Sequence, residues 1–212
     1  MTFSSERRSF EKDLLKVLPT KLRGSRWKKK QNAIFCELCG FYFDVFVSVF
    51  VNDRKTTFSM SAKPMTLDTH YWNITGLESN NSEPLSFRSW GAFTCPGLPL
   101  REESIFDEGM GTDVLARKLL EWADSQVETA LHRLTAESFS SAVARHPNHV
   151  ERGTYAISYV TSLIAEGNFK AARQAAVAYA DGSVESAHKH RHLGRDFHEI
   201  AVDWIDSMEE NN

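Results

Sequence analysis

Residues able to do chemistry cluster in a few places along the chain. His188, His190, His192 and His198 lie close together near the C-terminal end, with Glu199 beside the last of them. On a helix, His188 and His192 would share a face, and an H-x-x-x-H pair with a carboxylate can hold a divalent metal. Lys189, Arg191 and Arg195 interleave with them and repel a cation, and no Glu stands inside the pair as it does in H-E-x-x-H proteases. The plainer reading is an exposed or interfacial histidine cluster with some pH sensitivity. No metal or cofactor is expected. Cys36 and Cys39 form a C-x-x-C with no second such pair, so a zinc site lacks ligands. A thioredoxin-like motif belongs at a helix N-terminus, not in a strand pattern. Both cysteines are expected in the core or a turn.

Two further groups could bind. Arg26, Lys28, Lys29 and Lys30 crowd around Trp27, as in a phosphate or nucleic-acid patch. A solvated turn with Trp27 packed on a sheet explains them more simply, and nucleic acid is not the expected partner, because the net charge is −3 and no binding motif accompanies the run. His70, Trp72, Arg88 and Trp90 could line a small pocket, since aromatics beside an arginine are what pockets and interfaces favour. There is no G-x-S-x-G, Walker A or G-x-G-x-x-G pattern.

The elements that must position these residues are read from periodicity. From Phe41, the residues Phe41, Phe43, Val45, Val47, Val49 and Val51 alternate with Tyr42, Asp44, Phe46, Ser48 and Phe50. This predicts a long half-buried strand. Strands are also expected over Ala33–Leu38 and Thr56–Ala62, joined by short turns into an antiparallel meander. Before them, Phe10, Leu14, Val17 and Leu18 form the stripe of a helix that Pro19 should end. His70–Ile74 and Leu85–Phe93 read as strands. Past Cys95-Pro96-Gly97-Leu98-Pro99 the period is helical to the end, with helices expected at Thr112–Leu134, Ala136–Arg145, Tyr155–Glu166, Phe169–Ala180 and Val184–Met208.

The segment Phe10–Leu18, the basic Gly24–Lys30 turn, Phe35 and the Phe41–Val51 strand together resemble a bacterial domain family of unknown function with a GFKKK-like turn. That resemblance implies an N-terminal helix on an antiparallel sheet and an immunity-type role beside toxin systems. The pair around Gly167-Asn168 resembles one tetratricopeptide-type helical hairpin, through Ala156, Tyr159, Leu163, Gly167, Phe169 and Ala172. One copy implies only two antiparallel helices.

With 212 residues, 42% of them hydrophobic, there is material for a real core. The odd count of three cysteines, and an N-terminus without an apolar run, point to a cytoplasmic protein. Charge is uneven: residues 1–63 carry 13 Lys and Arg against 6 Asp and Glu, whereas residues 107–212 carry 10 against 17. The expected architecture is α+β, with a helix-on-sheet domain over 1–100 and an all-α domain over 101–212. The expected function is a non-catalytic protein-binding module. The alternative is an enzyme or small-molecule binder using a cleft between the sheet and the helical module.

Overall fold

The computed structural model describes residues 3–50, 52–89, 93–146, 153–182, 191–192 and 194–210. The fold is α+β. A first helix, α1 (Phe3–Lys21), precedes strands β1 (Lys28–Lys30), β2 (Ala33–Leu38), β3 (Phe41–Val49) and β4 (Lys55–Pro64). Then come α2 (Met65–Thr75), two 3-10 turns (Glu78–Ser82 and Leu85–Arg88) and β5 (Leu98–Phe106). The remaining elements are α3 (Thr112–Thr135), α4 (Phe139–Ala144), α5 (Gly153–Ala165), α6 (Phe169–Ala180), the short strands β6 (Arg191–His192) and β7 (Arg195–Asp196), and α7 (Phe197–Glu210).

Two compact units share the chain, and their segments interleave. One is Met1–Ala62 with Pro99–Arg133; the other is Lys63–Leu98 with Leu134–Asn212. Residue 100, where the sequence placed a boundary, falls inside β5.

The first unit is a meander in the order β1-β2-β3-β4-β5. The β2–β3 hairpin pairs Ile34 with Val45 and Cys36 with Phe43 on one face, and Phe35 with Asp44 and Glu37 with Tyr42 on the other. Its turn is Cys39-Gly40, with φ of 50° and 78°. Two positive φ values in a two-residue loop match the twist of the flanking strands. The alternation in β3 predicts one bare face, but Tyr42 and Asp44 are buried as well as Phe43 and Val45. Tyr42 stacks on Phe35 at 5.8 Å, and Asp44 accepts a hydrogen bond from Ser61. Only near the end of the strand, at Ser48, does the polar side lie open. Helix α3 lays Leu115, Leu119, Trp122, Ala123 and Val127 inward at helical spacing, with Trp122 5.8 Å from Phe58 of β4. Each large apolar side chain so buried contributes roughly 1.5–3 kcal/mol. Helix α1 buries Leu14 and Leu18 and runs past Pro19 to Lys21, so Pro19 does not end it; the proline forgoes the bond its N–H would have given the Leu15 carbonyl, two residues before the helix stops.

The second unit is helical. Helix α5 packs on α4, α6 and α2, and α7 packs on α6 and α2. Gly167 takes the left-handed turn at φ 74°, and Asn168 caps α6 by accepting from the Ala171 amide. The expected strand over His70–Ile74 is instead part of α2. Leu67, Asp68, Tyr71, Trp72, Ile74 and Thr75 are buried at three- and four-residue intervals, and Gly76 ends the helix at φ 69°. Leu85–Arg88 is a 3-10 turn, not a strand. The expected start of the last helix is also corrected. Arg191–His192 and Arg195–Asp196 pair as the antiparallel strands β6 and β7, and α7 begins at Phe197 under a reciprocal cap, in which Asp196 accepts from the His198 amide and donates its own amide to Glu199.

Candidate functional site

Arg7 sits near the start of α1, and Asp107 follows the last residue of β5. Both are buried, at 6% and 3% exposure. Arg7 Nη1 and Nη2 donate to the two Asp107 carboxylate oxygens at 2.6 and 2.9 Å. Its remaining donors are also used, since Nε donates to the Phe50 carbonyl and Nη2 to the Lys55 carbonyl, each at 3.0 Å. The Thr56 hydroxyl donates to Asp107 Oδ2, and the Asp107 amide donates to the Arg54 carbonyl at 2.9 Å. A buried ion pair persists only when the remaining donors and acceptors are met in this way. The result is a clamp joining α1, the β3–β4 turn and the end of β5.

Three exposed phenylalanines adjoin this clamp. Phe106, next to Asp107, is 79% exposed; Phe50, whose carbonyl Arg7 holds, is 43% exposed; Phe3, one turn before Arg7, is 38% exposed. The Arg54 guanidinium lies 5.7 Å from the Phe3 ring, and the Lys55 ammonium 5.2 Å from the Phe50 ring. Arg54 also pairs with Glu108. Aromatic rings beside cations are residue types enriched at protein interfaces. Sequence reading passes over these residues. One signal is there: Phe50, just past the end of β3, is an apolar ring where the alternation calls for a polar residue.

The residues expected to line a pocket are placed differently. Trp72 and Arg88 are brought together, with the guanidinium 4.8 Å from the indole. Trp72 is 1% exposed, and its Nε1 donates to the Phe93 carbonyl at 2.5 Å. Arg88 donates to Asp68 Oδ2 at 3.1 Å and to the Met65 carbonyl at 2.9 Å. The hub is Asp68, fully buried, whose Oδ1 accepts from Lys63 and from the Cys95 amide, both at 2.8 Å. His70, two residues before Trp72 on α2, turns about 200° away from it around the helix. It is half-buried, and burial lowers its pKa. Trp90 lies outside the described residues.

Among the four expected anion-binding residues, Arg26 faces Asp124 at 3.3 Å and Glu128 at 4.0 Å. Lys28, Lys29 and Lys30 form β1, an edge strand paired to β2 from Lys28↔Phe35 to Lys30↔Ala33. Charged side chains on an edge discourage pairing with another chain. Trp27 is 2% exposed and donates its indole N–H to Asp124 at 3.0 Å.

Cys36 is buried in β2, whereas Cys39 is exposed in the hairpin turn, so the C-x-x-C does not present two thiols together. Burial pushes the Cys36 and Cys95 thiols up to about 12. His188 and His190 lie outside the described residues. His192 sits on β6 and not on a helix, and His198 is buried in the first turn of α7, 4.9 Å from the Tyr179 ring. Among the described residues, no helix is long and apolar enough to cross a membrane. Comparison with protein-family models, with curated proteins and with solved structures returns no match to this chain.

Proposed function

We propose that this protein is a non-catalytic, cytoplasmic protein-binding module whose partner docks on the phenylalanines of the first unit. Phe106 carries the reading. It is a full aromatic side chain left 79% exposed, on a residue whose neighbour is locked in a buried ion pair. Ordering such a ring at an interface costs little backbone entropy, because the backbone is already fixed. The cations Arg54 and Lys55 at the rim favour a partner with an apolar pocket edged by acidic groups. Two of the three cysteines, Cys36 and Cys95, are buried with their thiols pushed up, which leaves them without nucleophilic character. The resemblance of the first hundred residues extends the reading to an immunity-type role, in which the partner is a toxin.

The test compares wild type with a Phe50→Ser/Phe106→Ser variant as bait in a lysate of the source organism, with bound proteins identified by mass spectrometry. One stoichiometric partner on wild type, lost from the variant, is expected. A partner held equally by both baits, or none on either, overturns the reading. An immunity role also requires that producing this chain alongside the partner relieve its toxicity.

A further inference from the structure

Ten Lys and Arg against three Asp and Glu stand in the first 30 residues, a local charge of +7 in a chain of net −3. Part of this charge is answered internally. Lys16 pairs with Asp13, Lys21 with Asp113, and Arg26 with Asp124. Arg8, Lys12 and Lys29 join no ion pair among the described residues. These three do not scatter. Together with Lys16, Glu11 and Leu15 they line a groove of about 420 Å³ between α1 and β1.

Arg8, Lys12 and Lys16 are four residues apart, so they form a row along one face of α1 with a rise of about 6 Å per step. Like charges at that spacing are unfavourable for an isolated helix. Lys29 faces the row from the edge strand, so cations converge from both walls, while Glu11 is the one acid in the lining. A ligand that fits this arrangement carries several negative charges at intervals of a few ångströms. Lysines act here as point charges suited to phosphoryl groups. The nearby aromatic Trp27 is buried with its N–H engaged, so it offers no platform on which a base could stack.

We propose that the α1–β1 groove binds a multiply phosphorylated anion, recognised by its phosphoryl groups and not by bases. The site is independent of the docking surface around Phe106 and stands or falls separately from it.

The experiment titrates the full chain with two probes, sodium tripolyphosphate by calorimetry and a fluorescein-labelled oligothymidylate by anisotropy. Saturable binding of either is expected at low salt. Binding of tripolyphosphate alone identifies a small polyphosphate as the source, and binding of the oligonucleotide alone identifies a nucleic-acid backbone. For three phosphate contacts, oligonucleotide affinity should fall roughly 20-fold between about 50 and 200 mM salt. The Lys12→Glu/Lys29→Glu variant should lose binding at least tenfold. The change at position 12 puts a carboxylate four residues before Lys16, an arrangement that favours the helix, so folding is preserved. Lys118→Glu/Lys170→Glu, two exposed changes outside the groove lining, shifts the net charge by the same −4 and should leave binding unchanged. Binding of neither probe at low salt, or equal loss in the Lys118→Glu/Lys170→Glu variant and the groove variant, overturns the proposal.

Discussion

Arg7 and Asp107 are 100 residues apart in sequence and meet through two parallel hydrogen bonds in the interior of the first unit. Removing one partner leaves the other charged and buried. Arg7→Ala or Asp107→Ala should each lower unfolding free energy by about 3–5 kcal/mol, read from urea midpoints. Replacing both, as Arg7→Met/Asp107→Leu, should cost much less than the two single changes together. Additive losses would show that the pair is not coupled.

The three cysteines should separate by reactivity. Cys39 is exposed in its turn, whereas Cys36 and Cys95 are buried with pKa values pushed up to about 12. An alkylating reagent at mild alkaline pH should modify Cys39 alone in the folded protein and all three in urea, as peptide mapping would reveal.

The same thiols set a pH dependence. Their usual value is 9.0, so above it the unfolded chain loses protons that the folded chain retains. Stability from this source is fully present below pH 9.0 and is lost as pH rises toward about 12. The slope should be about 1.4 kcal/mol per pH unit for each buried thiol. Denaturant titrations of a Cys36→Ser or Cys95→Ala variant should show a shallower alkaline decline than wild type.

The β2–β3 turn invites improvement. Cys39 is a non-glycine residue at φ 50°, ahead of Gly40 at φ 78°. Asn-Gly is the pair this turn prefers, so Cys39→Asn should stabilise by about 0.5 kcal/mol. Gly40→Ala should destabilise by about 1 kcal/mol, because an added Cβ meets no atom within 4 Å and the cost is the left-handed backbone alone. Thermal melts of both variants test the opposite signs.

Phe106→Ser should change unfolding free energy by less than about 0.5 kcal/mol, since the ring is 79% exposed. If the ring anchors a partner, the same change should weaken association by about 2 kcal/mol or more. A large loss of stability would make Phe106 part of the core instead.

Legibility in the sequence follows the strength of local pattern. Ala33–Leu38 and Phe169–Ala180 coincide with β2 and α6, because each carries its period within its own bounds. Helix α2 reads wrongly as a strand because five residues from His70 to Ile74 hold too little period to tell the two apart. Extending back to Leu67 brings out the helical spacing of the buried side. Strand β5 carries no apolar alternation: Arg101, Glu102, Glu103 and Ser104 are all exposed at the sheet edge, so position and not burial makes them a strand. The clamp is illegible for another reason. Nothing in the spacing of Arg7 sets it apart from the nine other cations in the first 30 residues, and its partner arrives a hundred residues later.

The interleaving of the two units bears on how the chain is made. It leaves the first unit after Ala62, returns at Pro99 and leaves again after Arg133. During vectorial synthesis, α1 and the first four strands emerge while Asp107 and α3 are still unmade, so Arg7 has no counter-charge to bury against. The edge of β4 stays unpaired until β5 is made at residues 98–106, and the first unit lacks α3 until synthesis passes residue 133. By then residues 63–98 of the other unit are already outside the ribosome. No single cut releases either unit whole, and the nascent chain carries both forward at once.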